Sequence, residues 1–249
     1  MHPTSTTSNP LFDRDFLLAT MMGPNCVRFA EELTANIPLS PNMRVLDLGC
    51  GMGLSSIYLA RTFGVRVFAV DLWINPSDNF ARFRDFGLED AIIPLRAEGH
   101  ALPFAEGYFD AVICIDAYHS FGCAPEYLDA HIVPLVKPGG FIAAAIPGLR
   151  KEFTGDIPDE LRPYWQEDIN FHSAGWWAEL WKQSARAAVR DAFSLRSHKA
   201  AWEDWLQCDN PYAQRDAGMM EKAGWRYFDS IGIIATVSPA ACSEPYLLL

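Results

Sequence analysis

The segment "MRVLDLGCGMGLSSIYLARTFGVRVFAVDLW", residues 43–73, decides the fold. It begins with a short apolar strand, "RVLDL", and continues through a turn with three glycines into the helical pattern "GLSSIYLARTFG" and a second strand, "VRVFAVD". Glycines between a strand and a helix let a ligand approach the backbone at the positively polarised start of the helix. One acid, Asp47, precedes the turn, and another, Asp71, ends the second strand. The segment therefore predicts a ligand site on an α/β scaffold.

The composition indicates a globular protein with reduced thiols and no basic face. Of its 249 residues, 50% are hydrophobic, which suits one domain with insertions. The net charge of −11 and the dispersed basic residues argue against a nucleic-acid partner. The six cysteines form no CxxC pair, which is typical of a cytoplasmic protein. We expect no signal peptide at the start, and no apolar run approaches the ~18 residues of a membrane span.

Strands and helices alternate from the opening segment to Gly148. This alternation predicts a parallel, doubly wound sheet with helices on both faces. The weak strand "AIIPLRA" contains a proline, which indicates a sheet edge, and residues 124–136 read as a helix. Beyond Gly148 the chain becomes polar and aromatic, with a helix predicted over residues 174–192 and a possible strand over residues 193–198.

The glycine spacing argues against a dinucleotide ligand. The dinucleotide template G-x-G-x-x-G needs a small final residue, and counting from Gly49 it meets Leu54. Counting from Gly51, it meets Ser56 instead. An acid two residues before the first glycine suits a cationic ligand better than a pyrophosphate.

The pattern D-x-G-x-G-x-G at residues 47–53 resembles the first motif of the class I S-adenosylmethionine-dependent methyltransferases, in particular the small-molecule enzymes of the type 11 kind. Three later segments are similar to motifs of the same family: "AEGHALPF", "YFDAVICIDAYHSF" and "LVKPGGFIAAA". The resemblance covers about residues 40–147. It implies S-adenosylmethionine as cofactor, with S-adenosylhomocysteine as product.

The resemblance also implies roles for individual residues. Asp47 would orient the methionine portion, directly or through water, and Asp71 would accept hydrogen bonds from both ribose hydroxyls. Glu98 and Gly99 stand where the family commonly has Asp and Ala, at the adenine ring. The residues implied at the cofactor are Asp47, Gly49, Cys50, Gly51, Gly53, Asp71, Leu72, Ala97, Glu98, Gly99 and Asp116.

The implied architecture is a Rossmann-like, mainly parallel seven-stranded sheet whose last strand is antiparallel. Residues 1–40 would form a tail and a helical cap, and residues 41–249 the methyltransferase domain. Within that domain, residues 148–224 would be a helical, aromatic lid. The stretch "MMGPN", residues 21–25, could cap the cofactor or merely connect two helices.

The end of the fourth strand carries the candidate catalytic residues. Tyr118 and His119 follow that strand, and His119 could act as a general base or only hydrogen-bond to the backbone. No His or Cys spacing indicates a metal site. Tryptophans at helical spacing, such as Trp177 with Trp181, are typical of a core, and some would also line an apolar pocket.

The predicted function is in-line transfer of a methyl group to a small molecule with an apolar, aromatic or amine body. The alternatives are an NAD(P)-dependent oxidoreductase and a catalytically silent module that binds S-adenosylmethionine. The acceptor atom and the oligomeric state are not indicated by the sequence.

Overall fold

The computed structural model describes residues 11–166 and 169–239. Seven strands form one sheet in the order β3-β2-β1-β4-β5-β7-β6. In chain order these strands are β1 Arg44–Leu48, β2 Arg66–Asp71, β3 Ile92–Arg96, β4 Phe109–Ile115, β5 Val136–Leu149, β6 Ala187–Ser194 and β7 Phe228–Val237.

Strand directions match the mainly parallel sheet that the sequence predicts. Strands β1 to β5 pair in parallel, whereas β7 runs antiparallel to both of its neighbours, β5 and β6. Pro94 lies in β3, which is an edge strand, so the proline removes no hydrogen bond from the middle of the sheet. The predicted edge position of this strand is confirmed.

Helices cover both faces of the sheet. The helices are α1 Arg14–Thr20, α2 Cys26–Thr34, α3 Leu54–Phe63, α4 Pro76–Asp85, α5 Ala174–Trp181, α6 His198–Trp205, α7 Pro211–Met219 and α8 Trp225–Tyr227. Shorter helical turns span Tyr118–Ser120, Leu128–Ile132, Val133–Leu135 and Met220–Gly224. None of the helices in the described ranges has the length and apolarity that a membrane span requires.

Two hydrophobic cores sandwich the sheet because successive residues of a strand point to opposite faces. Val45 of β1 packs into a first core together with side chains of α2, α3, α6 and α7. Leu46, the next residue, packs into a second core with Trp177 and Trp181 of α5. Trp177 and Trp181 are thus core residues, as their helical spacing predicts.

The helix predicted over residues 174–192 is wrong in its second half. Helix α5 ends at Trp181, and β6 occupies Ala187–Ser194. Between them, the Ser184 hydroxyl accepts the N–H groups of Arg186 and Ala187, and Asp129 binds the same hydroxyl. Pairing with β7 then outweighs the helical preference of this alanine-rich stretch.

The helix predicted over residues 124–136 is also irregular. A wide helical turn, Leu128–Ile132, is followed by the tight turn Val133–Leu135. Pro134 lacks a backbone N–H and therefore cannot continue a regular helix.

The predicted lid, residues 148–224, does not form a single layer over one site. Its central part, α5 and β6, completes the sheet and the second core rather than covering a site. Helices α6 and α7, in its last part, pack on the first core.

Candidate cofactor and acceptor site

A cavity of about 600 Å³ opens where β1, β2 and β4 end. Its wall includes residues directly after these strands: Gly49 after β1, Leu72 after β2 and Asp116 after β4. Because parallel strands present their carboxyl ends at one edge of a sheet, the fold places the predicted motifs together there.

The glycine turn brings backbone to the cavity wall. Gly49, Gly51 and Gly53 all have positive φ, from 52° to 87°. A Cβ on Gly49 would come within 2.3 Å of the Ala117 Cβ, and one on Gly53 within 2.4 Å of the Phe83 ring. Any side chain at these positions would disrupt the turn, so glycine is required for both conformation and space.

Asp71 ties the glycine turn to the loop after β2. One of its carboxylate oxygens accepts the Gly51 N–H at 2.9 Å, and the other accepts those of Trp73 and Ile74 at 2.8 and 3.0 Å. A carboxylate has about four acceptor positions, so roughly one remains for a ligand. To bind both ribose hydroxyls, Asp71 would have to give up one of its hydrogen bonds from a backbone N–H.

Asp47 lies behind the turn and not in the cavity wall. Its side chain is fully buried, and Oδ2 accepts the hydroxyls of Ser55 and Ser56 at 2.7 and 2.6 Å. Among the described residues Oδ1 has no hydrogen-bond partner, and burial raises the pKa of this carboxyl to about 6. Asp47 thus anchors the start of α3, and of the two contacts that the resemblance implies, the geometry favours the one through water over the direct one.

Residues 97–99, which the resemblance assigns to the adenine ring, follow β3 at the same edge of the sheet. Ala97, Glu98 and Gly99 all line the cavity. The Ala97 N–H donates to the carbonyl of Asp71, and the Gly99 carbonyl accepts the Tyr127 hydroxyl at 2.8 Å. The Glu98 carboxylate contacts His100 at 2.7 Å. These contacts hold the segment beside the loop after β2.

Asp116 and His119 occupy the cavity wall at the end of β4. Asp116 has a φ of 58°, and burial together with the nearby charge of Asp216 raises its pKa to about 7. Burial lowers the pKa of His119 to about 4, and its Nδ1 has no partner among the described residues. The His119 ring is therefore uncharged at neutral pH.

Tyr118 points away from this cavity. Its side chain is 2% exposed and belongs to the second core, in ring contact with Trp177 and Trp181. The sequence expectation that Tyr118 acts beside His119 is therefore corrected, because the tight turn Tyr118–Ser120 directs these two adjacent side chains differently. The predicted residues that do line the cavity are Gly49, Cys50, Gly51, Asp71, Leu72, Ala97, Glu98, Gly99, Asp116 and His119.

Residues 46–144 match a family described as methyltransferase domain. The glycine/sarcosine/dimethylglycine N-methyltransferase of Actinopolyspora halophila is 29% identical over 139 residues, which are 54% of this chain and 24% of that protein. Over these residues the chain is similar to the class I S-adenosylmethionine-dependent methyltransferases. The matched regions span between 24% and 42% of the length of three curated relatives.

Solved structures share the methyltransferase fold. A geranyl diphosphate C-methyltransferase from Streptomyces coelicolor A3(2), in complex with Mg²⁺, geranyl diphosphate and S-adenosyl-L-homocysteine, has a TM-score of 0.67 at 18% identity, covering 84% of this chain and 79% of its own. The [4+2]-cyclase SpnF has a TM-score of 0.69 at 18% identity, covering 87% of this chain and 82% of its own. At these identities the likeness shows the fold alone.

The site fits S-adenosylmethionine, the cofactor of the similar family. The backbone of residues 49–51 lies in the cavity wall, and the Asp71 carboxylate stands beside it. Four carboxylates and one guanidinium line the cavity, which suits a ligand with a sulfonium and an ammonium group: Asp71, Glu98, Asp116, Asp216 and Arg215. Within the described ranges no cluster of His, Cys, Asp and Glu suited to a metal ion is found.

Sequence reasoning expected some tryptophans at an apolar pocket but did not identify the other residues that the later segments contribute. Five aromatic side chains from these segments line the cavity: Tyr164, Phe171, Trp202, Trp205 and Tyr212. Asp216 joins them from α7, with its Oδ2 accepting the Trp205 indole N–H at 2.9 Å. The available signal was the spacing of Tyr212, Asp216 and Met219, which places an acid on one helical face with apolar residues.

Residues 21–25 also contribute to the cavity wall. Met22 and Gly23 line it, and a Cβ on Gly51 would meet the Met22 sulfur at 3.1 Å. Of the two interpretations of "MMGPN", contact with the ligand cavity is thus the one that the geometry favours.

Proposed function

We propose that this chain transfers the methyl group of S-adenosylmethionine to a small-molecule acceptor. The observation that carries the proposal is one cavity with the glycine turn and Asp71 in one part of its wall and His119 with aromatic side chains in another. Its volume of about 600 Å³ lies within the ~300–1,000 Å³ of small-molecule sites. A curated relative and a structural neighbour both carry names of small-molecule methyltransferases, which supports this class.

The cofactor-side residues would act mainly by positioning. The backbone of residues 49–51 would hold the methionine portion, Asp71 would accept a hydrogen bond from the ribose, and Glu98 with Gly99 would meet the adenine. When bound, the cofactor supplies a methyl group already activated by a sulfonium. The chain's own contribution is therefore alignment of the acceptor and exclusion of water.

A side chain must receive a proton if the acceptor oxygen or nitrogen carries one. We assign His119 to this acceptor atom, because its neutral ring lies in the wall and can accept a hydrogen bond. With a pKa of about 4, however, the ring would hold a proton only weakly. Asp116 precedes His119 by three residues and has a pKa of about 7, so its carboxylate is the better final acceptor of that proton at neutral pH.

Parallel thermal melts test the cofactor. We expect stabilisation by S-adenosylmethionine and S-adenosylhomocysteine but not by NAD or NADP, since a ligand at ~100 times its Kd adds roughly 2.7 kcal/mol. Release of S-adenosylhomocysteine with pools of amines, phenols and carboxylic acids then tests the reaction. A shift with NAD alone would support the oxidoreductase alternative instead.

A second candidate is a module that binds the cofactor without transferring its methyl group. The likeness to a [4+2]-cyclase favours it, since one fold can support different reactions. Stabilisation by the sulfur nucleosides without product release from any acceptor pool would support this candidate.

A further inference from the structure

The cavity wall combines negative charge with aromatic surface. The resemblance places Asp116 at the cofactor, but Asp71 and Glu98 already supply carboxylates there, so we assign Asp116 together with Asp216 to the acceptor. Among the described residues of the wall, Arg215 is the only guanidinium, and its side chain is exposed. Its charge acts on Asp216, but the two acids outnumber it, so the acceptor part of the cavity favours a cation.

Asp216 is held in place for a ligand. Its Oδ2 accepts the Trp205 indole N–H at 2.9 Å, while Oδ1 accepts no hydrogen bond from any described residue. Trp205 is itself 1% exposed and packed in the first core, so the carboxylate has a rigid anchor. One oxygen thus fixes the side chain, and the other is left for a partner in the cavity.

Asp116 faces the same space without a protein partner. Its carboxylate accepts no hydrogen bond within the described residues, and one oxygen lies so close to Gly23 that a Cβ there would be 2.1 Å away. Asp116 and Asp216 line the same cavity, and the charge of Asp216 raises the pKa of Asp116. Two carboxylates near each other at low dielectric repel, and a cation between them would remove that cost.

The aromatic side chains select the kind of cation. Tyr164, Phe171, Trp202, Trp205 and Tyr212 line the same cavity. Aromatic faces attract organic cations such as alkylammonium groups, whereas a divalent metal ion prefers several oxygen ligands and keeps its water. The combination of two acids and aromatic walls is therefore suited to an ammonium group.

We propose that the acceptor carries a cationic ammonium head, seated between Asp116 and Asp216 and against the aromatic side chains of α6 and α7. The proposal rests on the proposed function and names its substrate class. Asp216 is here a binding residue for specificity, since it contacts the acceptor and not the cofactor.

Calorimetry with a matched pair of probes tests the cation site. Choline carries a trimethylammonium group, and 3,3-dimethylbutan-1-ol is its uncharged isostere. Both are titrated into the full chain saturated with S-adenosylhomocysteine. We expect choline to bind at least about tenfold more tightly than the uncharged alcohol, because only choline can pair with the acids and make cation–π contacts.

A pair of variants tests whether Asp216 is the source of the choline affinity. Asp216→Asn keeps an acceptor for the Trp205 indole N–H and removes the charge, so we expect choline affinity to fall about tenfold. Asp209→Asn removes an exposed acid outside the cavity wall and should leave choline affinity unchanged. Both variants should retain the affinity for S-adenosylhomocysteine.

The outcomes separate this proposal from the function on which it rests. Equal binding of the two alcohols, or binding of neither, would overturn the cation site, and this comparison needs no variant. Asp216-dependent binding of Mg²⁺ without choline binding would also overturn it and reassign the acid pair to a metal. If the unmodified chain does not bind S-adenosylhomocysteine, the proposed function itself is wrong.

Discussion

The cofactor side and the acceptor side of the cavity are built in different ways. The cofactor side consists largely of backbone, with three glycines of positive φ within five residues and N–H groups bound by Asp71. The acceptor side consists of side chains from segments that lie far apart in the chain, such as His119, Phe171, Trp205 and Asp216.

This difference explains how one fold can keep a cofactor and change its acceptor. Substitution at the glycine turn alters backbone conformation and the packing of β1 against the loop after β4. Substitution at the acceptor side changes the shape and charge of the wall but leaves the sheet intact. We therefore expect variants of the first kind to change cofactor affinity and stability, and those of the second kind to change turnover and selectivity.

The largest expected effect is at Asp71. Asp71→Ala should lower the calorimetric affinity for S-adenosylhomocysteine about 100-fold, because hydrogen bonds to a charged group contribute about 1.5–3 kcal/mol each. The variant also leaves three backbone N–H groups of the site without their acceptor. Asp78→Ala, at an exposed acid in α4, is the matched control. An unchanged affinity would remove Asp71 from the cofactor site.

A double substitution tests how far the turn depends on close packing. Gly49→Ala should destabilise the fold by about 3 kcal/mol in chemical denaturation, from the clash with the Ala117 Cβ and from positive φ. Adding Ala117→Gly removes the clash, so only a backbone cost of about 1–2 kcal/mol should remain. Ala117→Gly alone is the control. No recovery in the double variant would contradict the steric explanation.

Sequence alone predicted the strands and the turn around the glycines because their determinants are local, whereas the roles of these residues at the cofactor stay a prediction. The strands β1 and β2, the glycine turn and Asp71 all lie within residues 44–71, where periodicity and turn chemistry decide the structure. The edge position of β3 also followed from a local feature, Pro94. Whether Asp47 acts directly or through water could not be predicted, because the sequence does not show which side of the turn a carboxylate faces.

The acceptor side required tertiary information. The sequence could not show that Asp216 meets the Trp205 indole, nor that Tyr118 and His119 separate to opposite faces of the sheet. The end of α5 depends on Asp129, a residue more than 50 positions earlier that binds Ser184. Long-range contacts of this kind have no signature in a local pattern.

A smaller effect is expected at His119. His119→Ala should lower kcat about tenfold while the affinity for S-adenosylhomocysteine stays within about twofold, because general-base and orienting contacts act on the reacting proton. Since the pKa of His119 is about 4, its titration should not appear in the rate profile between pH 5.5 and 8. His131→Ala, at a histidine outside the cavity wall, is the control. A loss of affinity with unchanged turnover per bound complex would make the assignment wrong.

The smallest expected effect is a gain of stability at Asp116. Its pKa is raised to about 7 from the model-peptide value of 3.8, so the folded chain holds this proton more tightly than the unfolded chain does. The stability associated with the protonated carboxyl is complete below pH ~3.8 and is lost as pH rises towards 7. Asp116→Asn stays neutral at every pH, and Asn tolerates positive φ.

The full pKa shift would correspond to about 4 kcal/mol, but the carboxyl is partly exposed in the cavity wall and is screened by water. The variant should therefore melt higher than the parent by roughly 2–4 °C at pH 8, the shift that about 1 kcal/mol gives in a chain of this size. At pH 4 the difference should vanish. Asp209→Asn should show no such dependence, since this acid is exposed. A gain that is equal at both pH values would place its origin in backbone or packing instead of charge. A gain in melting temperature confined to high pH would mean that the charged Asp116 carboxylate lowers the stability of the protein without ligand. Such a cost is expected of a side chain that binds a ligand.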